Sequence, residues 1–341
     1  MTVSRRTLAF GLAAGALVAC RRRGVDARGE APGQPPSSAD FGAPPPVSAA
    51  VPLSSSSPAF GEGAERLTDD LDLLDWSFPG GAAAGGSDRA TVLLPRNLPP
   101  SPRPPVLIAM HGKGEAVRGA EAGAYGWIRD YKLPAAVAAL RRGKLESKDF
   151  LGFYLPDRLA AMNASLARTP YRGVIVVCPH TPNILSTPGY DIHGADAFAT
   201  WVANVLVPRI ALELPGAGPL GIDGVSLGGR AALLVGFAHP DVFRTIGTLQ
   251  PAIQVAEAEE LSRRAKGYFA KRPAGTLRLL TSDGDYFKDA VGALDRSLET
   301  ALLPHITHIV KGPHDYVFNR GPGGIEMLLF HDRALRGEPT L

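Results

Sequence analysis

From residue 67 to the end of the chain, short runs dense in β-branched and other apolar residues alternate with longer stretches of helical periodicity, and no other feature restricts the fold so tightly. The runs are LDWSF (74–78), ATVLLP (90–95), VLIAMHG (106–112), GVIVVCP (173–179), LGIDGVS (220–226), TIGTLQP (245–251), LRLLTSD (277–283) and ITHIVKG (306–312). Near-continuous apolar character is what a strand needs when both faces of its sheet are covered. Helical spacing between the runs calls for crossover connections. The pattern therefore predicts a single α/β domain over 67–341, with a mostly parallel central sheet of about eight strands and helices on both faces. Helices are expected over about 195–213, 227–239, 255–271, 286–303 and 323–336. Residues 115–170 do not fit neatly between two strands. They are expected to form a small helical insertion over the carboxyl edge of the sheet. Its Trp127, Tyr131, Phe150, Phe153 and Tyr154 are read as a packed satellite cluster in preference to a substrate lid.

The segment ahead of the domain reads as an address and a spacer. MTVSRRTLAFGLAAGALVAC has a basic start, an apolar stretch too short to span a bilayer, and small residues before a cysteine. Arg5 and Arg6 resemble a twin-arginine export signal. LVAC (17–20) looks like a lipobox, so residues 1–19 are expected to be removed and Cys20 to become a lipidated N-terminus in the bacterial cell envelope, facing the periplasm or the outer surface. Residues 20–66 are rich in Pro, Ser, Gly and Ala and poor in large apolar side chains. Such a stretch buries too little surface to offset its ordering entropy, so a disordered tether is expected. With Cys20 used this way, Cys178 is left alone at the end of an apolar run, where a buried small hydrophobe is the simplest reading.

Charge excludes other classes. The formal net charge is only +3, and aromatic residues, at 7%, do not alternate with basic ones. No nucleic-acid groove is expected. The histidines are dispersed, without a helical pair at metal-ligand spacing, so neither a metal nor a cofactor is expected.

The chemistry concentrates around GVSLG (224–228), which matches the G-x-S-x-G nucleophile elbow. A serine held on a tight strand-to-helix turn needs minimal side chains on either side, and Gly224 and Gly228 supply them. The helix that begins after Ser226 favours negative charge at its N-terminus. In this arrangement an acid and then a histidine follow in the chain. TSDGD ends a strand with Asp283 and Asp285; Asp285 is preferred as the acid, with Asp283 free to cap the turn. GPHDY follows the last strand and puts His314 in the loop best placed to reach Ser226, while Asp315 is read as a local cap. An oxyanion hole needs two backbone N–H groups. Leu227 is expected to give one, and Gly112 or Lys113 of HGKG (111–114) the other, with His111 as a structural loop histidine.

The ordered set HGKG, GVSLG, TSDGD and GPHDY resembles an α/β-hydrolase over about residues 90–335, and is similar to the esterase group that includes esterase D, feruloyl esterases and enterochelin esterases. HGKG departs from the lipase-type HGGG, and the side chain of Lys113 is read as solvent-facing. The resemblance implies a serine esterase acting through an acyl-enzyme on Ser226, with His314 relaying the proton and Asp285 holding the imidazolium. The expected substrate is a small-molecule or glycan-linked ester, and the expected membrane contact is the lipid on Cys20. Two alternatives stand beside it: a non-catalytic surface lipoprotein that uses the same scaffold for binding, and a peptidase or acyltransferase with the same triad.

Overall fold

The computed structural model describes residues 61–96, 104–185 and 191–341. The expected signal 1–19, Cys20 and all but the last residues of the expected tether lie outside them. Nine strands form one sheet: β1 (Glu65–Arg66), β2 (Leu71–Ser77), β3 (Arg89–Pro95), β4 (Val106–Met110), β5 (Ile175–Pro179), β6 (Leu220–Gly224), β7 (Phe243–Leu249), β8 (Thr276–Gly284) and β9 (Ile306–Pro313). Their order is β1-β2-β3-β5-β4-β6-β7-β8-β9. From β5 to β9 every pairing is parallel, whereas β1, β2 and β3 add an antiparallel edge. Each expected run forms a strand. The addition is β1, whose two exposed charged residues carry no apolar signal. It pairs with β2, so ordered backbone begins ahead of the expected boundary at 67.

Residues alternate across the strands with the two-residue period of a pleated sheet. Val92, Val106, Ile108, Val177 and Ile222 enter one core, while Leu93, Leu107, Ala109 and Val176 enter the other. The first core is covered by α6 (Asp196–Trp201), α7 (Val207–Glu213), α8 (Leu227–Ala238), α9 (Ala258–Lys271) and α10 (Lys288–Thr300). A π-helical turn, Val202–Leu206, joins α6 to α7 just ahead of Pro208, which has no N–H to continue the regular ladder. Helix α8 is buried along nearly its whole length, which explains its almost uniformly small and apolar sequence.

The stretch 115–170 is better described as the crossover from β4 to β5 than as an insertion. The whole crossover holds α1 (Lys113–Ala116), α2 (Ala120–Gly123), α3 (Gly126–Arg129), α4 (Leu133–Arg141) and α5 (Pro156–Arg168). Leu133, Val137 and Leu140 of α4 and Met162 and Leu166 of α5 share the second core with Ile325 and Leu328 of α12 (Gly324–Ala334). A short α11 (Tyr316–Phe318) precedes α12. Trp127, Tyr131 and Phe150 are buried in this core, each such large side chain contributing about 1.5–3 kcal/mol by leaving water. The cluster reading therefore holds for these three. Tyr131 additionally reaches the site described next. Cys178 is buried in the same core, and burial pushes its thiol up to about 12.

The winding reverses at β4: the chain moves outward to β5, then crosses back to β6 on the other side. Open α/β sheets place clefts at the carboxyl ends of strands at such a point. Here Met110 pairs with Gly224, so the loops leaving β4 and β6 emerge side by side.

Candidate active site

Ser226 lies in the turn between β6 and α8 with φ 54° and ψ −115°, a conformation that non-glycine residues rarely adopt. Its N–H donates to Leu249 O at 2.9 Å, and its carbonyl accepts from Ala252 N–H at 2.9 Å. The two flanking glycines are needed for distinct reasons. A Cβ on Gly224 would lie 2.3 Å from Gly228 O, and one on Gly228 would lie 2.3 Å from Met110 O. The elbow is thus packed backbone against backbone.

Three side chains then meet in line. His314 Nε2 is 3.1 Å from Ser226 Oγ, and His314 Nδ1 is 2.7 Å from Asp285 Oδ1. A carboxylate only accepts, so Nδ1 carries the ring proton and Nε2 turns its lone pair to the serine hydroxyl. Asp285 is buried at the end of β8 and is fixed by two more donors, Thr281 Oγ1 at 2.6 Å and Phe287 N–H at 2.9 Å. Asp283 is exposed and accepts from Gly312 N–H at 2.9 Å, bracing β8 against β9 instead of facing the imidazole. Asp315 caps α11 through Val317 N–H at 2.8 Å.

The expected oxyanion donors separate. Gly112 N–H donates to Tyr131 Oη at 3.0 Å, so Gly112 does not serve as the expected donor. Lys113 and Leu227 are the first residues of α1 and α8, where a helical N–H has no acceptor in its own helix. Lys113 lines the cleft and its side chain is exposed. His111 is fully buried, its Nε2 accepting from Thr181 N–H at 2.8 Å, and burial holds its pKa down to about 3. That is a structural histidine. Three further histidines lie elsewhere: His305 Nε2 contacts Asp295, His308 Nε2 contacts Leu341 O, and His331 is buried against Asp223 and Thr245. In TPGYDIHGADAF (187–198), a stretch expected to enter a helix near the rim of the site, Tyr190 lies outside the described residues and His193 Nδ1 is 2.9 Å from Asp196.

The cleft over Ser226 has a volume of about 290 Å³ and is bounded by Lys113, Glu115, Tyr131, Tyr286, Tyr316 and Asn319, among others. Tyr286 is 72% exposed and stands 4.2 Å, centroid to centroid, from the His314 ring. Gln250 is a residue that sequence reasoning missed. Buried, with φ 48°, it donates from Nε2 to Ser282 Oγ at 2.7 Å and to Pro313 O at 2.9 Å, tying the His314 loop to the strand ends. Thr281 and Glu115 were also missed: Thr281 opens TSDGD, but nothing in that motif shows that its hydroxyl turns onto Asp285, and Glu115 lies outside every motif.

No protein-family model and no curated protein matches the chain. Solved structures do. A ferulic acid esterase superposes with a TM-score of 0.53 at 16% identity, covering 78% of this chain and 98% of its own. S-formylglutathione hydrolases from Staphylococcus aureus and Agrobacterium tumefaciens give TM-scores of 0.48 and 0.49, each at 12% identity, covering 77% and 80% of this chain and 98% and 99% of theirs. These neighbours are named as an esterase and as hydrolases, and the sheet order, the elbow after β6 and the first of these superpositions agree on one architecture: the chain has the α/β-hydrolase fold.

Proposed function

We propose that the protein is a serine hydrolase that cleaves carboxylic esters through an acyl-enzyme on Ser226. The observation that carries this reading is the unbroken line Asp285–His314–Ser226 at the floor of an accessible cleft. In the proposed reaction His314 Nε2 takes the Ser226 proton as Oγ attacks the ester carbonyl, and Asp285 stabilises the imidazolium that forms. Lys113 N–H and Leu227 N–H stabilise the oxyanion, helped by the N-terminus of α8. His314 then returns the proton to the leaving alcohol. Water, activated by the same imidazole, releases the acid and restores Ser226. The structural neighbour named as a ferulic acid esterase supports an ester carbonyl as the reacting group.

The test is turnover of p-nitrophenyl acetate and butyrate by the full-length chain, with covalent labelling by a fluorophosphonate. Ser226→Ala is expected to lower kcat by at least about 10³-fold and to abolish labelling. Equal turnover and labelling in both proteins would overturn the proposal in favour of a non-catalytic binding scaffold.

We further propose that the protein is exported and held at a membrane by lipid on Cys20, with the Pro/Ser/Gly/Ala-rich residues 20–66, up to the strand pairing of β1, as a spacer. The reading is supported by the basic start, apolar stretch and LVAC of residues 1–20. Its measurement is incorporation of labelled palmitate into the wild-type chain and into Cys20→Ser.

A further inference from the structure

The cleft is bounded in part by a carboxylate that the proposed reaction does not use. Glu115, in α1, is fully buried. Its Oε2 accepts from Tyr131 Oη, and its Oε1 accepts from Tyr316 Oη at 2.6 Å and from Arg118 Nη2 at 3.1 Å. Tyr131 Oη in turn accepts the Gly112 N–H at 3.0 Å. A buried charge is tolerated only where its lone pairs are satisfied, and here two phenols and a guanidinium do so. Burial, reinforced by the Glu115 carboxylate, holds Tyr131 well above the usual phenol range and Tyr316 up to about 12. Both phenols therefore stay protonated and donate toward Glu115. The remaining lone pair of Tyr131 is thereby left facing Gly112.

The backbone around this carboxylate is shaped for it. A Cβ on Gly114 would lie 2.4 Å from Tyr316 Oη, one on Gly126 would lie 2.6 Å from Glu115 Cγ, and one on Gly112 would lie 2.9 Å from Tyr131 Oη. The two ends of the chain of bonds are significant. Gly112 precedes Lys113, whose N–H points from the first position of α1, and Tyr316 follows His314 by two residues. Tyr131 and Tyr316 also stack, with centroids 5.5 Å apart and planes 29° apart.

We infer that Glu115 is a positioning residue that, through Tyr131 and Tyr316, clamps the loop bearing the Lys113 N–H to the loop bearing His314. Its kinetic consequence rests on the hydrolase reading above; the linkage itself does not. A group fixed in this way affects the transition state, where the oxyanion must meet its donor, more than ground-state binding.

The experiment uses Tyr131→Phe and Tyr316→Phe in the full-length chain, each removing one oxygen, with three readouts. Hydrogen exchange is followed at the amides of 110–118 and 312–318, kcat and KM are measured on p-nitrophenyl acetate, and affinity is measured for an alkyl boronic acid that becomes tetrahedral on Ser226. In Tyr131→Phe, exchange at Gly112 is expected to speed up about 10-fold or more, with the amides of β6 and α8 unchanged. The kcat is expected to fall about 10- to 100-fold in both variants, with KM within about twofold and boronate affinity falling in proportion. Unchanged exchange at Gly112 in Tyr131→Phe overturns the clamp, whether or not the wild type turns over ester. Turnover in the wild type with kcat unchanged in both variants overturns its positioning role. Accelerated exchange in a chain that neither hydrolyses nor labels keeps the clamp and removes the hydrolase reading alone.

Discussion

At Asp285 three donors converge on one carboxylate, and that convergence separates it from Asp283 two residues earlier. Sequence placed both acids in the same turn after a strand. Which one faces the imidazole depends on the rotation of the chain at Gly284, and no local pattern encodes that rotation. The distinction has a kinetic signature. Asp285→Asn presents an amide where the Nδ1 proton must be accepted, which favours the wrong imidazole tautomer and is expected to lower kcat by about 10⁴-fold. Asp283→Asn keeps an acceptor for Gly312 N–H and is expected to cost less than about 10-fold. Comparable losses in both, measured as kcat on a p-nitrophenyl ester, would remove Asp285 from its assigned role. Glu115 gives the opposite lesson at this scale. It sits one residue beyond HGKG, yet the two phenols that donate to it lie 16 and 201 residues away, so only the folded chain brings them together.

The elbow is the element on which the site stands. Its legibility came from a physical coincidence: an apolar strand, a serine, and glycines on both sides followed by helical spacing. The structure supplies the reason for each glycine as a backbone contact. Gly228→Ala is accordingly expected to destabilise the fold by about 1–3 kcal/mol or more, since its Cβ would lie 2.3 Å from Met110 O and rigid backbone has no rotamer with which to yield. Gly292→Ala in α10 is the matched comparison. Its Cβ would come no closer than 3.5 Å, to Arg296 Nη1, so a gain of about 0.5–1 kcal/mol is expected from helix propensity. Urea unfolding midpoints measure both, and an equal shift in the two would contradict the close-packing argument. The strand that sequence missed, β1, failed for a comparable reason: its two residues pair with β2 through the backbone, and backbone pairing leaves no mark on side-chain composition.

At the scale of the whole molecule, the reversal of winding at β4 sets the loops after β4 and β6 next to each other, and the parallel run to β9 brings the loops after β8 and β9 to the same end. Four stretches spread over about two hundred positions thereby form one site. The proposed lipid anchor is a separate matter and rests on the sequence of residues 1–20. Cys20→Ser is expected to lose palmitate label and to move the protein from the membrane to the soluble fraction with its esterase turnover retained; membrane retention without label would contradict lipid anchoring. Hydrophobic periodicity and motif spacing alone determined the α/β class, the run of parallel strands, the elbow serine and the histidine that follows the last strand, because each is written in neighbouring residues. The choice of acid, the loss of Gly112 as an oxyanion donor, and the Glu115 clamp were decided by tertiary structure. Each depends on which distant groups compete for the same hydrogen bond, and that competition begins only once the sheet has brought its loops together.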